Sequence, residues 1–339
     1  MNDARLNLLI DLGSGYLKCG PPQLSEPVVI PAALKSATTG REPSIFSELD
    51  PGRSSWIFPL EDGMLPKNPN LVVQLAKKAI EQFSDLNANW AQVEIMLLVF
   101  PLISPEQVTE QCRMVQETLG CLRVDAAIQQ VLTWGYWGRK SGLIIDVGYS
   151  VSFVTPIYRG FLLEEQVMPV VTGSFFVSAQ IRKLLLHQAE ITNSTQSDLY
   201  SQLANDGKAI SKIKQNFCQV RPHEVDGHFD EIARFQHQDS ELSLGSIPWQ
   251  ATEVLFQPTL LGVGDKGLTD ALIDVLERVD TSIRAELASN IVLAGGGSMF
   301  PGLQSRIQND VETKFPHLAV KVFDLEYPLY SSWLGAAKM

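Results

Sequence analysis

Two segments of the chain share one hydrophobic pattern, in which an apolar run ends in an acid, a glycine turn follows, and a second apolar run returns. The first copy occupies residues 6–19 and the second occupies residues 142–158, and the strand-ending acids are Asp11 and Asp146. Each copy predicts a β-hairpin. Because the unit occurs twice, the pattern predicts two similar halves with a cleft between them, and such clefts are common ligand sites.

The region between the two hairpins alternates between helical and strand patterns. Apolar residues at helical spacing predict an amphipathic helix over residues 71–83, and the β-branched run at 93–100 predicts a buried strand. The segment Ser104-Pro105-Glu106-Gln107 has the residue types of a capping box with proline in the first turn, so it predicts a helix start. Residues 125–136 are predicted to form the next helix.

The second half of the chain contains further helical patterns. Helices are predicted near residues 176–187, 208–217 and 268–279, and another begins at 303. The stretch 190–207 is polar, and no regular element is predicted there. A short strand at 291–293 leads into the turn Gly295-Gly296-Gly297.

Composition and charge narrow the class of protein. The 339 residues are 45% hydrophobic and 19% charged, which predicts a globular chain of more than one domain. The formal charge of −11, without a cluster of lysine or arginine, argues against direct nucleic-acid binding. The longest apolar run, 95–103, is too short to cross a membrane. Four scattered cysteines and no signal-peptide pattern lead us to expect a soluble, cytoplasmic protein.

The two strand-ending acids are the first candidates for chemistry. Glycine turns let backbone N–H groups approach phosphate oxygens, and Asp11 and Asp146 would be compatible with phosphate if they held Mg²⁺ through water. Lys18 on the returning strand would offset phosphate charge. A single hairpin of this kind is equally an ordinary turn with a surface lysine. The second copy at Asp146 favours a phosphate clamp.

Two weaker signals accompany the hairpins. The turn Gly295-Gly296-Gly297 lies between a strand and a helix, where bare backbone accepts a nucleotide, although the GxGxxG fingerprint is absent. Gln129 is a candidate for orienting an attacking water, and it is equally a polar helix residue. The sequence contains no Walker A, HExxH or nucleophile-elbow motif.

Taken together, these residues resemble the actin family over nearly the whole chain. The first and second hairpins resemble its two phosphate loops, and further segments match in order. The matching segments are Ile10-Asp11-Leu12-Gly13-Ser14-Gly15 with Lys18, Phe58-Pro59-Leu60-Glu61-Asp62-Gly63, Ala127-Ile128-Gln129-Gln130-Val131-Leu132, Asp146-Val147-Gly148, Val154-Thr155-Pro156-Ile157-Tyr158-Arg159-Gly160, Leu255-Phe256-Gln257-Pro258, Ala294-Gly295-Gly296-Gly297-Ser298-Met299-Phe300-Pro301-Gly302 and Ser332-Trp333-Leu334-Gly335. Sugar kinases and Hsp70 chaperones share only the phosphate loops in outline.

The resemblance implies an α/β, duplicated actin-like fold with ATP or ADP and Mg²⁺ in a central cleft. Residues 1–128 with 331–339 would form one domain, with a short tip subdomain near 36–57, and residues 129–330 would form the other. Asp11 and Asp146 would hold hydrated Mg²⁺, and Gln129 would position water. The nucleotide-binding residues implied by the resemblance are Gly13, Ser14, Gly15, Lys18, Gly148, Lys214, Gln215, Gly295 and Gly296.

The chain departs from the family pattern at four cleft positions. Tyr149 stands where the family has an acid, and Phe153 replaces a histidine that relays the proton of the attacking water. Leu329 replaces a lysine near the adenine, and Gln215 replaces an acid that contacts the nucleoside. Neither tyrosine nor phenylalanine accepts a proton at neutral pH. We therefore expect retained or weakened ATP binding with slow or absent hydrolysis.

Several functions stay open at this point. The segment 38–56 is shorter than the family's tip subdomain, and the sequence stops near Lys338, which together argue against an ordinary self-polymerising actin. We expect a divergent actin-related filament or capping subunit that contacts itself or other actin-family subunits in a multiprotein complex, and that binds neither nucleic acid nor membrane directly. The alternatives are an active filament-forming ATPase, a subunit of a chromatin-remodelling complex, and a small-molecule kinase, for which no acceptor-facing carboxylate is evident.

Overall fold

The computed structural model describes residues 6–32, 34–35, 44–45, 56–57, 60–61, 65–66, 69–81, 90–221, 233–237 and 240–339. The expected tip subdomain near 36–57 and the segment at 58–63 fall largely outside these residues. The end of the first predicted helix, at Phe83, also falls outside them.

The described strands are β1 (Leu6–Leu12), β2 (Tyr16–Gly20), β3 (Val28–Pro31), β4 (Leu34–Lys35), β5 (Ser44–Ile45), β6 (Trp56–Ile57), β7 (Leu60–Glu61), β8 (Leu65–Pro66), β9 (Val93–Val99), β10 (Arg123–Ile128), β11 (Gly142–Val147), β12 (Ser152–Tyr158), β13 (Phe161–Leu162), β14 (Met168–Val170), β15 (Arg234–His237), β16 (Ser240–Ser243), β17 (Ile291–Ala294) and β18 (Val322–Asp324).

The described α-helices are α1 (Pro69–Glu81), α2 (Pro105–Leu119), α3 (Gln129–Trp137), α4 (Ser174–Ile191), α5 (Ser194–Asn205), α6 (Gly207–Asn216), α7 (Ile247–Gln250), α8 (Leu268–Arg278), α9 (Thr281–Ala288), α10 (Leu303–Lys314) and α11 (Ser331–Ala337). Within the described ranges, none of the helices combines the length and the apolar character that crossing a bilayer would need.

Two sheets repeat one topology. The strand order is β10-β9-β1-β2-β3 in the first sheet and β13-β12-β11-β17-β18 in the second, where β14 also pairs with β12. In each sheet the leading strand of the hairpin (β1 or β11) pairs antiparallel with its return strand and parallel with a later strand (β9 or β17). The predicted α/β class and the predicted duplication are therefore confirmed.

The register of the two hairpins places different residues opposite the two acids. Asp11 pairs with Lys18 in the first hairpin, and Asp146 pairs with Phe153 in the second. Lys18 and Phe153 thus occupy equivalent positions of the duplicated unit. One return strand offers a cation beside its acid, and the other offers an aromatic ring.

Helix α11 packs against α3 and against the first sheet. Leu9, Leu98 and Leu132 form one buried cluster with Trp333, which is completely inaccessible to solvent. The two helices approach closely because Gly335 has no side chain, so that its Cα lies against the backbone of Leu132. This contact brings the last helix beside the end of β1.

The capping signal before α2 is confirmed. The Ser104 hydroxyl accepts a hydrogen bond from the Gln107 backbone N–H (3.2 Å), and the Gln107 side chain accepts one from the Ser104 N–H (3.0 Å). The helix ends at Gly120 in the left-handed region, with φ of 66°. Both ends of α2 therefore follow from local sequence chemistry.

The helix predicted over residues 125–136 was wrong in its first part. Residues 123–128 form β10, which pairs in parallel with β9, and the helix begins only at Gln129. The alanines at 126 and 127 favour a helix by a fraction of a kcal/mol each, and a ladder of strand hydrogen bonds outweighs that preference. Gln129 consequently stands at a strand-to-helix junction, directly after the end of a strand.

The polar stretch 190–207 contains a helix that the sequence interpretation missed. Helix α5 covers Ser194–Asn205 and buries Tyr200, Leu203 and Ala204 against α4. These three residues have the spacing of one helix face, which is too narrow to stand out among the polar residues around it. Packing against α4 stabilises the helix, since its polar sequence gives little intrinsic preference.

Candidate functional site

The turns of the two hairpins and the glycine turn after β17 border one cleft with a volume of about 470 Å³. All twelve site residues predicted from the sequence line this cleft. They are Asp11, Gly13, Ser14, Gly15, Lys18, Gln129, Asp146, Gly148, Lys214, Gln215, Gly295 and Gly296. The fold thus gathers residues from five segments of the chain, while their individual roles stay predictions.

Asp11 is buried at the end of β1 and is surrounded by donors. Its Oδ1 accepts a hydrogen bond from Gln129 Nε2 at 2.8 Å. Its Oδ2 accepts one from the Ser332 hydroxyl at 2.6 Å and forms an ion pair with Lys18 Nζ at 3.3 Å. The side chain is 1% exposed. Three different elements therefore fix the orientation of this carboxylate and offset its charge.

Asp146 at the end of β11 has fewer partners among the described residues. Its Oδ2 accepts a hydrogen bond from Gln130 Nε2 at 2.9 Å. Burial of the carboxylate raises the pKa of Asp146 to about 6, an effect that the positive charge of Lys18 opposes and the negative charge of Asp11 reinforces. A carboxylate in this setting would be stabilised by a further cation in the cleft.

The glycine turn after β17 closes over Asp146. Gly295 has φ of 80° and ψ of 157°, a conformation that is almost restricted to glycine. A Cβ at this position would overlap the Asp146 carboxylate and lie 2.5 Å from the Val147 carbonyl oxygen. The absence of a side chain at Gly295 therefore leaves the space that the Asp146 carboxylate occupies.

The turns of the two hairpins touch each other across the cleft. The Ser150 backbone N–H donates a hydrogen bond to the Ser14 hydroxyl at 3.2 Å. The ring of Tyr149 lies on the backbone of Gly15, since a Cβ built there would be only 2.5–2.9 Å from three Tyr149 side-chain atoms. The two candidate phosphate loops are thus in direct contact.

Helix α6 borders the cleft beside the turn of the second hairpin. Lys214 Nζ donates to the Ser174 carbonyl oxygen at 3.3 Å and lies 5.5 Å from the centre of the Tyr149 ring. Burial of its ammonium group lowers the pKa of Lys214 to about 8. Gln215 is exposed, and Leu329 lies against Gly296 in the cleft lining. These residues add one cation and one apolar side chain to the lining.

Phe153 lies in the wall of the cleft beside Asp146. The side chain is 1% exposed, and its ring stacks on Phe100 with centroids 5.7 Å apart and an interplanar angle of 29°. Val151 and Val167 complete the small apolar cluster around it. A phenyl ring neither accepts nor donates a proton, so this position carries no acid–base chemistry.

Three residues at the site were missed by the sequence interpretation as functional candidates: Gln130, Ser150 and Ser332. Gln130 is completely buried and holds Asp146, while Ser332 holds Asp11 from the last helix. The matched motifs contained both residues, but only the fold shows which way their side chains point. Two consecutive glutamines, Gln129 and Gln130, are visible in the sequence, but their burial is not.

The chain is similar in sequence to known proteins. The sequence model of the actin family matches residues 3–339. Actin-related protein 2 of Schizosaccharomyces pombe is 24% identical over 374 aligned residues, which cover 97% of this chain and 90% of that protein. Both matches extend over nearly the whole chain, and the family model includes both hairpins and the turn after β17.

Proposed function

Because the chain belongs to the actin family, we propose that it is a nucleotide-binding actin-related subunit of the cytoskeleton. It assembles with actin-family subunits as a filament or filament-capping component. It hydrolyses ATP slowly or not at all. One observation carries the proposal: the duplicated hairpins bring Asp11, Asp146 and their glycine turns to a single cleft. Carboxylates beside glycine turns suit a metal–phosphate ligand.

The residues present fit Mg²⁺ with a nucleotide. Within the described residues, no group of three histidine, cysteine, aspartate or glutamate side chains could hold a metal by itself. Asp11 and Asp146 would therefore hold a cation that keeps water and phosphate oxygens as its other ligands, as magnesium commonly does. A bound Mg²⁺ would offset phosphate charge.

Other residues of the chain would have separate roles in binding the ligand. Lys18 would add positive charge beside the phosphates, and the turns around Gly13 and Gly148 would donate backbone hydrogen bonds. Gln129 is held by Asp11 and also lies 3.4 Å from the Leu98 carbonyl oxygen, so its amide orientation is fixed. The two domains, 1–128 with 331–339 and 129–330, would be held in one relative orientation by the ligand.

Slow hydrolysis follows from Phe153. A water that attacks phosphate must lose a proton, and a nearby acceptor contributes about 10²–10⁴-fold to such a step. The position is filled by a buried ring that stacks on Phe100. Gln129 would still orient a water, but no proton acceptor would stand beside that water.

The proposal is tested with purified protein and Mg²⁺. We expect ATP binding by titration calorimetry, phosphate release far below that of a working actin, and no critical concentration in light scattering of the protein alone. Rapid turnover with a critical concentration would instead make the protein a filament-forming ATPase. Absence of binding by any adenine nucleotide would refute the nucleotide-binding part.

Restoring acid–base chemistry should raise turnover. We expect the double variant Tyr149→Asp with Phe153→His to release phosphate about 10²-fold faster at saturating ATP, because an acceptor then stands beside the water. The variant Tyr149→Asp with Phe153→Leu serves as control, since it keeps the position apolar. An equal rate in both double variants would remove the lost histidine as the cause of slow hydrolysis.

Gln130 is expected to position Asp146 for the metal. Replacement by alanine removes the 2.9 Å hydrogen bond to Oδ2, and loss of such a supporting partner costs roughly tenfold or more in metal affinity. Nucleotide affinity should therefore fall about tenfold with Mg²⁺ and stay unchanged in excess EDTA. Gln116→Ala on α2 is the matched control, because it removes a side-chain hydrogen bond of 3.0 Å to the Leu122 carbonyl oxygen at an exposed position. A fall of the same size in EDTA would assign Gln130 a purely structural role.

A further inference from the structure

The aromatic ring of Tyr149 fills the space between the two phosphate loops. A Cβ on Gly15 would lie 2.5, 2.6 and 2.9 Å from three atoms of the Tyr149 side chain. These distances are shorter than any van der Waals contact, so the ring rests directly on the backbone of Gly15. Glycine at 15 and an aromatic residue at 149 therefore fit each other.

The ring is also held from behind. Phe175 packs against it with centroids 5.7 Å apart, and Lys214 Nζ lies 5.5 Å from its centre. The backbone of Tyr149 is fixed as well, because its carbonyl oxygen accepts a hydrogen bond from the Phe175 N–H at 2.8 Å. Moving the ring out of the gap would disturb packing on both of its sides.

The polar groups at the loop tips satisfy each other. The Ser150 N–H donates to the Ser14 hydroxyl at 3.2 Å, and both groups belong to the turns proposed to bind phosphate. A terminal phosphoryl group that entered between the loops would have to break this hydrogen bond and displace the ring of Tyr149. A ligand one phosphoryl group shorter leaves both contacts in place.

We infer that this cleft selects a nucleoside diphosphate over a nucleoside triphosphate, and that Tyr149 is the residue that sets the preference. The inference rests on the proposed nucleotide-binding function. It adds to that function a preference for the number of phosphoryl groups in the ligand. Binding of the triphosphate requires the loops to separate, which reduces its binding free energy. The diphosphate binds without moving the loops. Breaking one hydrogen bond of this kind and removing one packed ring corresponds to about tenfold or more in affinity.

The test is the ratio of ADP to ATP affinity, measured by titration calorimetry in Mg²⁺. Wild-type protein should bind ADP at least about tenfold more tightly than ATP. The ratio should fall towards one in Tyr149→Ala, which opens the gap, and should persist in Tyr149→Phe, which keeps the ring. Phe161→Ala, an aromatic truncation at a residue that is 75% exposed and outside the cleft, should leave the ratio unchanged.

Each outcome separates this inference from the function on which it rests. Equal affinities for ADP and ATP in the wild type would overturn the inference and leave nucleotide binding intact. A tenfold preference that survives Tyr149→Ala in a protein that still melts cooperatively would overturn the role of Tyr149. Failure of the wild type to bind either nucleotide would overturn the proposed function together with the inference.

Discussion

Replacing Gly335 with alanine is expected to lower the free energy of unfolding by about 3 kcal/mol, which corresponds to a fall in Tm of about 6 °C. A Cβ at Gly335 would overlap the carbonyl oxygen of Leu132 and lie 2.5 Å from its carbonyl carbon. Backbone atoms within a helix cannot move aside as a flexible side chain could. Helix α11 must therefore shift away from α3, and Trp333 loses part of its packing.

The same shift should weaken the cleft. Ser332 lies on α11 and donates a hydrogen bond to Asp11, so displacement of the helix removes one of the three partners of that carboxylate. We expect lower nucleotide affinity alongside the lower Tm. Thermal unfolding followed by circular dichroism, with and without ADP, measures both effects.

Gly135→Ala is the matched control for this prediction. Gly135 lies inside α3, and a Cβ there would meet no atom within 4 Å. Alanine in an open helical position stabilises by about 0.5–1 kcal/mol relative to glycine. The two substitutions should thus move Tm in opposite directions. Similar Tm changes for both variants would contradict the close contact between α11 and α3.

Gly295→Ala should reduce nucleotide affinity by about 10²-fold or more, equivalent to about 3 kcal/mol. The new methyl group would overlap the Asp146 carboxylate and crowd the Val147 carbonyl oxygen. The backbone conformation at Gly295 is in addition almost inaccessible to alanine. Either the acid leaves its position or the turn moves off the cleft wall, and both changes alter the surface that would contact the ligand. Titration of ADP with Mg²⁺ gives the affinity.

Gly138→Ala is a control for a moderate loss of stability outside the cleft. Gly138 caps α3 in the αL region, with φ of 77° and ψ of 20°, and a Cβ there would meet nothing within 4 Å. We expect this variant to lose about 1–2 kcal/mol of stability and to keep its nucleotide affinity. An unchanged affinity in Gly295→Ala would show that the turn after β17 takes no part in binding.

The two hairpins were predictable from the sequence because their signals are local. An apolar run, an acid and a glycine turn occur together within 14 residues around Asp11, and the same order recurs around Asp146. The repeat then predicted that both acids would meet at one cleft, and the structure has both in its lining. Local chemistry also predicted the start of α2 at Ser104.

The remaining features depend on contacts between distant parts of the chain. Residues 123–128 form a strand only because β9 provides a partner, and no property of those six residues reveals it. The direction of the Gln130 side chain, and the contact of Tyr149 with Gly15, depend on how two sheets and α3 are arranged. A substitution such as Tyr149 is visible in the sequence, but the gap that its ring fills is not.

The hydrogen bond between Ser332 and Asp11 joins residues that are 321 positions apart in the chain. At ordinary rates of translation, roughly 20–60 s separate the synthesis of these two residues. During that interval Asp11 lacks the hydrogen bond from the Ser332 hydroxyl, and the first sheet lacks the packing of Trp333. The growing chain therefore cannot complete the cleft, and ligand capture is deferred until α11 has been synthesised. Contacts of such sequence separation are also slow to form in refolding, so ligand should accelerate recovery only in its last phase.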